Sequence, residues 1–190
     1  MSKPWLFLRR FVNCPVTVGS VLPSSRFLVR SMLAGIDWNR VDTIAELGAG
    51  TGVITDAVDQ SRRGSSRFLS FELDGNMRST LSSRYPSVNF YEDAFGLRAA
   101  LQEHHMQGLD CVISGLPLFN FPDQQRRRLL TDIHELLNPG GVFVAFQYTR
   151  ILKPFLVSMY DDMETNFVWA NLPPAFVYLC KKPACPTVTK

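Results

Sequence analysis

The chain has 190 residues, of which 46% are hydrophobic, and its 20 basic side chains outnumber its 17 acidic ones to give a net charge of +3. This length and composition indicate a single domain with one substantial core, and they exclude a highly charged disordered chain. A charge this small does not by itself indicate a nucleic-acid-binding protein. No apolar run approaches the roughly 18 residues of a transmembrane helix, so none is predicted.

The charges are distributed unevenly along the chain. No acidic residue precedes Asp37, so residues 1–36 carry a charge of +5 and the remainder carries −2. The basic residues of this first part are Lys3, Arg9, Arg10, Arg26 and Arg30. We expect an N-terminal amphipathic and basic helical segment at 1–36, a folded domain at 37–182 and a flexible tail at 183–190.

The beginning of this N-terminal segment predicts an amphipathic helix. In helical geometry Arg9 and Arg10 share one side, and apolar side chains occupy the wide opposite side. This composition is typical of a segment that lies in a membrane interface. The residues expected there are Trp5, Phe7, Leu8, Arg9, Arg10 and Phe11. A helix that packs on the protein's own core has the same pattern, so the pattern alone leaves both interpretations open.

From residue 26 onwards, short apolar runs alternate with longer amphipathic ones. The predicted strands are Thr43–Leu47, Arg67–Leu73, Val88–Glu92, Asp110–Leu116 and Val142–Tyr148. The predicted helices are Arg26–Ala34, Val53–Gln60, Gly75–Tyr85, Leu97–Met106 and Asp123–Leu137. This alternation favours a doubly wound, Rossmann-like α/β/α fold with a mostly parallel sheet. Two further runs, Phe167–Leu172 and Phe176–Cys180, lack a helix between them and predict an antiparallel hairpin at the edge of a seven-stranded sheet.

A glycine-rich sequence, Gly48-Ala49-Gly50-Thr51-Gly52, joins the first predicted strand to the next helix. Glycine at such a junction allows a tight turn and lets a ligand approach the backbone closely. The spacing is GxGxG rather than the GxGxxG of dinucleotide-binding proteins, and the lysine of a phosphate-binding P-loop is missing. The loop therefore favours a nucleoside without phosphates.

Three acids stand at the ends of successive predicted strands. Glu72 can accept both ribose hydroxyls, and Asp93 can accept the exocyclic amine of an adenine beside the Ala94 N–H. Glu46, just before the first glycine, places a carboxylate near the amino-acid ammonium of the ligand. Three carboxylates around one pocket repel a phosphate and favour a ligand that carries sulfonium and ammonium charges.

The combination ELGAGTG…FELD…YEDAF, over about residues 43–150, resembles the class I S-adenosylmethionine-dependent methyltransferases. The resemblance implies S-adenosyl-L-methionine as donor and S-adenosyl-L-homocysteine as product. The cofactor-binding residues are then Ser20, Glu46, Gly48, Ala49, Gly50, Thr51, Gly52, Glu72, Leu73, Asp93, Ala94 and Ser114.

The fourth predicted strand ends in Ser114-Gly115-Leu116-Pro117-Leu118-Phe119, at the position of the acceptor loop of such enzymes. Methyltransferases of adenine amines typically read (N/D/S)-(P)-P-(Y/F) there, and the rRNA dimethylases among them read N-L-P-Y. In this chain Ser114 replaces the asparagine, and Phe119 comes two places later than the tyrosine would. These departures weaken the interpretation as an RNA adenine methyltransferase, which stays an alternative.

The same run, SGLPLF, resembles bacterial phospholipid N-methyltransferases of the type that methylates phosphatidylethanolamine. Other matching segments are VGSVLPSS at 18–25, LNPGG at 137–141, FQY at 146–148 and NLPPA at 171–175, and the resemblance spans roughly residues 5–182. The chemistry of methyl transfer to an amine then predicts catalytic roles for Ser114, Gly115 and Leu116, whose backbone carbonyls are expected to face the acceptor, and for Tyr148, which fits ordinary core packing equally well. The expected substrate-binding residues, of which the two cations follow strand five, are Pro117, Leu118, Phe119, Tyr148, Arg150 and Lys153.

The resemblance also favours the membrane interpretation of the N-terminal segment. We therefore expect a cytoplasmic enzyme, monomeric in solution, that binds peripherally to the inner membrane. Its expected partners are an anionic membrane surface and a phospholipid amine, with no nucleic acid. Methylation of an ornithine lipid or another small amine stays open, as does a binding module without turnover. The run Arg126-Arg127-Arg128 predicts either an anionic-lipid contact or a solvated helix face.

Thiol and imidazole chemistry is not expected to contribute. The N-terminal apolar stretch is too short for a signal peptide, which indicates a reducing cytoplasm. The four cysteines have no metal-ligand spacing and are expected as thiols: Cys14, Cys111, Cys180 and Cys185. His104 and His105 lack ligand partners in helical register, so no metal site is predicted.

Overall fold

A computed structural model describes residues 26–184. Its strands are β1 (Thr43–Leu47), β2 (Arg67–Phe71), β3 (Asn89–Tyr91), β4 (Leu109–Ser114), β5 (Leu137–Gln147), β6 (Asp162–Val168) and β7 (Ala175–Lys181). Its α-helices are α1 (Arg26–Leu33), α2 (Val53–Ser61), α3 (Gly75–Arg84), α4 (Leu97–Glu103), α5 (Asp123–Leu136) and α6 (Lys153–Val157). Short 3₁₀ helices cover Trp38–Arg40, Ala94–Gly96 and Leu118–Asn120.

The seven strands form one sheet in the order β3-β2-β1-β4-β5-β7-β6. Strands β1 to β5 are parallel, and β7 pairs antiparallel with both β5 and β6. The chain first builds outwards from β1 to β3 and then returns to place β4 on the other side of β1. The carboxyl end of β1 is therefore the switch point of the sheet, where ligands bind in folds of this kind.

Helices cover both faces of the sheet and make two cores. One core joins the sheet to α4, α5 and α6, and the other joins it to α1, α2 and α3. This arrangement confirms the predicted doubly wound fold and its antiparallel edge hairpin. Because α1 buries Leu28, Val29 and Met32 in the second core, the folded domain begins no later than Arg26 rather than at residue 37.

The predicted hairpin was wrong in the position of its first strand. We predicted a strand at 167–172, whereas β6 covers Asp162–Val168 and residues 169–174 form the turn. An edge strand has one partner and one covered face, so polar residues alternate along β6 and no apolar run marks it. The five-residue helix α6 was missed for a similar reason, since it buries a single side chain, Leu156.

At the amino edge of the sheet, a single carboxylate holds the beginnings of three strands together. Asp110, at the start of β4, accepts the backbone N–H groups of Asp42 and Thr43 at 2.9 and 3.0 Å and the Thr43 hydroxyl at 2.9 Å. Its other oxygen accepts Asn138 Nδ2 at 2.8 Å. One side chain thereby ties the beginnings of β1, β4 and β5 together, on the edge opposite to the glycine loop.

Some of the predicted residues lie outside the part of the chain that the structure describes. Residues 1–25 and 185–190 are outside it, and with them Ser20 and the proposed interfacial residues Trp5, Phe7, Leu8, Arg9, Arg10 and Phe11. In the part of the chain that the structure describes, no helix is long and apolar enough to cross a bilayer.

Candidate active site

The glycine loop leaves β1 at the carboxyl edge and turns sharply into α2. Gly48, Gly50 and Gly52 all adopt positive φ angles, of 84°, 55° and 84°. The Gly48 and Ala49 N–H groups both donate to the Phe71 carbonyl, at 2.8 and 3.1 Å, which fixes the loop against the end of β2. A side chain at Gly50 would meet nothing within 4 Å, so the middle of the loop presents bare backbone to open space. Thr51, next to it, is exposed.

Glu72 stands beside this loop, immediately after β2. Its carboxylate accepts the Gly50 N–H at 2.6 Å and the Asp74 N–H at 2.9 Å. Only 6% of the residue is exposed, so the two hydrogen bonds set the orientation of a carboxylate at the rim of the loop. The structure therefore brings the predicted ribose-binding acid and the predicted cofactor loop into direct contact.

Arg78 on α3 supports the same rim, and the sequence analysis did not identify it. Its guanidinium donates to the carbonyls of Glu72 and Leu73 at 2.7 and 3.2 Å and lies 3.5 Å from the Glu92 carboxylate. The clamp holds the half-buried Leu73 segment between β2 and α3. Its only signal in the sequence is an arginine on a polar helix, which does not distinguish a clamp from a solvated side chain.

Asp93 and Ala94 follow β3, the neighbour of β2. The Asp93 carboxylate is exposed and accepts the Phe95 N–H at 2.9 Å, which caps the short 3₁₀ helix that starts at Ala94. Because Glu72 N–H donates to the Tyr91 carbonyl at 2.9 Å, the ends of β2 and β3 are side by side. Both acids therefore lie on the edge at which the glycine loop opens.

Glu46 is placed differently from the other two acids. It is fully buried, and its Oε2 accepts the hydroxyls of Thr55 and Ser70 at 2.7 and 2.8 Å. Its Oε1 is buried and has no hydrogen-bond partner among the described residues. Burial raises the pKa of Glu46 to about 7; the two hydroxyls lower it in part, and the charge of Glu72 raises it further. Glu46 thus lies beneath the loop rather than on its surface.

The acceptor loop touches the glycine loop through the backbone. Gly115 N–H donates to the Leu47 carbonyl at 2.8 Å, and a Cβ at Gly115 would lie 2.7 Å from the Gly48 oxygen. Ser114 is fully buried, and its hydroxyl accepts the Leu116 N–H at 3.3 Å. The ends of β1 and β4 therefore behave as one rigid unit in which only glycine fits at position 115.

Gln147, at the end of β5, is a second residue that the sequence analysis missed. Its Nε2 donates to the Leu116 carbonyl at 3.1 Å, so it fixes the carbonyl that was expected to face the acceptor. The side chain is 2% exposed, and its Oε1 is buried with no hydrogen-bond partner within residues 26–184. A polar residue at the end of an apolar strand, as in the FQY motif, could have indicated Gln147, but the motif was interpreted only for Tyr148.

The remaining predicted acceptor residues divide into two groups. Pro117 and Phe119 are half-buried on the loop, whereas Leu118 is fully buried in the core next to the loop. We correct its assignment: the 3₁₀ turn points Leu118 inwards, where it anchors the loop and does not face a ligand. Half-buried Tyr148 hydrogen bonds with Asn171 and packs edge-on against Phe146, and burial raises its pKa.

The predicted cations lie at the same edge as Tyr148, beyond β5. The Arg150 guanidinium stacks 4.8 Å from the centre of the Phe176 ring on β7, and half-buried Lys153 begins α6. In contrast, the arginine run on α5 is paired locally. Arg126 and Arg127 both contact Asp123, which favours its interpretation as a solvated helix face.

The structure adds one finding on metal binding. Within residues 26–184, no group of three or more histidine, cysteine or carboxylate side chains is arranged to hold a metal ion. His104 instead lies with Nε2 2.7 Å from the Tyr91 hydroxyl.

Comparison with known proteins gives two sequence matches, one to a domain family and one to a single enzyme. The methyltransferase domain family matches residues 44–141, about half of the chain. The ornithine lipid N-methyltransferase of Singulisphaera acidiphila is 30% identical over 95% of this chain and 97% of its own length. The chain is a class I S-adenosylmethionine-dependent methyltransferase.

Solved structures share the fold of this methyltransferase at low sequence identity. The N-methyltransferase NodS from Bradyrhizobium japonicum, solved with S-adenosyl-L-homocysteine, has a TM-score of 0.66 at 12% identity and covers 95% of this chain and 98% of its own. The precorrin-6y C5,15-methyltransferase from Geobacter metallireducens has a TM-score of 0.67 at 12% identity and covers 90% and 95%.

The residues of the methyltransferase fit its cofactor, S-adenosylmethionine. The bare backbone at Gly50 allows close approach of a nucleoside, and Glu72 and Asp93 offer carboxylates to hydroxyl and amine groups. Beneath the loop, the buried Oε1 of Glu46 is an acceptor with no hydrogen-bond partner within residues 26–184, and a cationic ligand would favour the ionised form of this acid. These acids favour a cationic donor over a phosphate-bearing nucleotide. When bound, S-adenosylmethionine supplies a methyl group made electrophilic by its sulfonium.

We expect Gly115→Ala to weaken the binding of S-adenosylmethionine about tenfold and to lower methyl transfer by on the order of 100-fold. The added Cβ would collide with the Gly48 oxygen, so the glycine loop must shift away from the acceptor loop. Calorimetry measures the first effect and a radiolabelled-methyl assay the second. Gly64→Ala is the matched control, because a Cβ there meets nothing within 4 Å. Unchanged cofactor affinity in Gly115→Ala would show that the two loops move independently.

We expect Glu46→Gln to remove a pH dependence of stability. The folded pKa of about 7 lies above the ordinary 4.5, so the native state binds the proton more tightly than the unfolded chain. This contribution is complete below pH 4.5 and is lost as the pH rises to about 7, a change of roughly 3 kcal/mol. Urea unfolding between these pH values should therefore show the parent losing stability relative to Glu46→Gln.

The same variant tests the electrostatic part of the cofactor site. A cationic ligand stabilises the ionised form of Glu46, so S-adenosylmethionine should bind the parent more tightly as the pH rises from about 6 to about 8. In Glu46→Gln this increase should disappear. A parallel increase in both proteins would assign the dependence to another group.

Proposed function

We propose that this methyltransferase transfers methyl groups to the amine of a membrane lipid headgroup, in successive steps where the amine allows them. The observation that carries the proposal is the similarity to an ornithine lipid N-methyltransferase over almost the full length of both proteins. The SGLPLF and NLPPA motifs, which resemble phosphatidylethanolamine methyltransferases, point to the same class of acceptor. Phosphatidylethanolamine and ornithine lipid are the two acceptors to test.

The geometry supports an orienting role for the acceptor loop in this reaction. Transfer to an amine is an in-line displacement, so the nitrogen lone pair must point at the methyl carbon. The Leu116 carbonyl accepts both the Leu118 N–H at 2.8 Å and Gln147 Nε2 at 3.1 Å, so it holds the loop in shape and leaves the amine to the neighbouring backbone. The backbone next to Gly115 lies where the two loops meet, and the carbonyls of Ser114 and Gly115 can accept the N–H groups of the amine and hold it in line.

The amine must lose a proton before it can act as a nucleophile. Residues 112–122 of the acceptor loop contain no titratable side chain, so we assign the proton to solvent. Partial desolvation of the amine lowers its pKa and favours the neutral form. A methylated, permanently cationic product can be stabilised by the ring of Tyr148 or Phe119, an interaction worth on the order of 1 kcal/mol.

The headgroup phosphate or carboxylate needs a cation at a short distance from the amine. Arg150 and Lys153 follow β5 at the same edge and supply two positive charges without an acid between residues 136 and 160. We propose that they bind the anionic part of the headgroup. This arrangement would place the amine towards the acceptor loop and the acyl chains away from it.

An RNA adenine methyltransferase is the main alternative. The position that carries asparagine in that class is Ser114, whose buried hydroxyl accepts the Leu116 N–H. This geometry favours a structural role for Ser114 over a role in clamping a base. The alternative is distinguished by the substrate assay that follows.

We expect labelled methyl groups from S-adenosylmethionine to enter lipid when the protein is incubated with vesicles containing phosphatidylethanolamine or ornithine lipid. An rRNA transcript in the same buffer should stay unlabelled. Gly115→Ala is the inactive control, and thin-layer chromatography identifies the methylated lipid. Labelling of RNA alone would overturn the proposal, and labelling of one lipid alone would identify the acceptor.

We further propose that the N-terminal segment binds the membrane. Removal of residues 1–12, or Arg9→Glu combined with Arg10→Glu, should reduce sedimentation with anionic vesicles by about tenfold, since each basic residue near such a surface contributes about 1 kcal/mol. Arg40→Glu with Arg63→Glu is the matched control, because both side chains are exposed near the amino edge. Equal sedimentation of all four proteins would assign the segment to packing on the core.

A further inference from the structure

Exposed apolar side chains gather at the carboxyl edge of the sheet, beyond β5. Three of the most exposed large apolar residues in the described part of the chain are Trp169, Leu172 and Ile151, at 79%, 72% and 62%. Strands β5 and β6 end at this edge and β7 begins there, because Gln147 pairs with Phe176 and Val168 with Ala175. The β6–β7 turn and the residues after β5 therefore form one surface, which we call the edge patch: Arg150, Ile151, Lys153, Phe167, Trp169, Leu172 and Phe176.

The charged side chains of the edge patch are all basic. Residues 165–180 contain no charged side chain, and the charges within residues 136–160 are Arg150 and Lys153. The acids of the hairpin lie at its other end, where Asp162 and Glu164 face Lys181 at 3.8 and 3.4 Å. An aromatic and aliphatic surface bordered by cations matches the anionic, apolar boundary of a bilayer.

The edge patch is held in a defined shape by contacts within the fold. Phe167 packs against Trp169 with ring centres 4.5 Å apart and against Phe176 at 4.7 Å, and Arg150 stacks on Phe176. Asn171 donates to the Pro173 carbonyl at 2.7 Å and hydrogen bonds with Tyr148. The turn is thus tied to the end of β5, directly beside the residues assigned to the acceptor.

We propose that the edge patch inserts into the interfacial layer of an anionic bilayer, with Trp169 and Leu172 at its centre. The proposal rests on the proposed lipid substrate and adds a second membrane contact, within the catalytic domain. With the carboxyl edge against the bilayer, a headgroup reaches the acceptor loop while its acyl chains stay in the membrane.

Trp169 reports directly on its own surroundings in the full-length chain. Trp5→Phe and Trp38→Phe leave Trp169 as the single tryptophan. Its emission should shift to shorter wavelength on addition of vesicles containing phosphatidylglycerol, and lipids brominated near the headgroup should quench it. Emission that is already at short wavelength and is not quenched by these lipids would overturn the proposal, because residues 1–25 or a second copy then cover the patch. Sedimentation velocity distinguishes these two coverings.

A double variant tests the functional role of the patch. Trp169→Ser with Leu172→Ser should lower vesicle binding and methyl transfer to vesicle lipid together, by about tenfold or more. S-adenosylmethionine affinity and transfer to the same headgroup on a short-chain, monomeric lipid should be unchanged. Val157→Ser, at another exposed aliphatic residue outside the patch, is the matched control.

The outcomes separate the patch from the substrate. If the parent and the double variant label vesicle lipid equally, the proposed membrane insertion of the edge patch is wrong and the proposed function stands. If the parent labels no lipid at all, the proposed function fails. Trp169 quenching by anionic vesicles would then still support membrane insertion of the patch.

Discussion

The organisation of this methyltransferase depends on a contact between two loop backbones, where β1 and β4 end side by side. Gly115 N–H bonds to the Leu47 carbonyl, and the distance to the Gly48 oxygen leaves no room for a side chain. Since β1 lies at the switch point of the sheet, this contact joins the glycine loop, where the cofactor is expected to bind, to the loop proposed to receive the acceptor. A displacement transmitted across it changes the distance between methyl carbon and nitrogen, on which the reaction rate depends most steeply.

Carboxylates at the two edges of the sheet show how the surroundings of a group decide its role. Asp110 at the amino edge accepts four hydrogen bonds from the starts of β1 and β5 and from the residue before β1, so both of its oxygens are used in holding strands together. Glu46 at the carboxyl edge is fully buried with one oxygen unpartnered among the described residues, and burial raises its pKa. A buried acid that is left unsatisfied destabilises the protein unless a ligand or a proton compensates it. We therefore expect the binding of a cationic donor to be linked to the protonation of Glu46.

Parallel strands also explain why donor, acceptor and membrane contacts can share one edge. The loop that follows each of β1 to β5 lies at the carboxyl edge. Strand β6 also ends there and the antiparallel β7 begins there, so the β6–β7 turn lies at the same edge. The turn carries Trp169 and Leu172 and is tied through Asn171 to Tyr148. If the acceptor is a membrane lipid, as proposed, it need not leave the bilayer, because the proposed membrane surface and the acceptor loop follow neighbouring strands.

Local patterns in the sequence determined the class of fold, the presence of an antiparallel edge hairpin and the position of the glycine loop, because periodicity and glycine spacing are properties of single segments. Strand ends in register also predicted that Glu72 and Asp93 lie beside that loop. Tertiary structure alone decided that Glu46 is buried, that Leu118 points into the core, and that Arg78 and Gln147 hold carbonyls of the site. It also decided the position of β6, an edge strand that no apolar run marks in the sequence. Each of these features depends on contacts with residues far along the chain, and the sequence of one segment does not determine which groups pack against it.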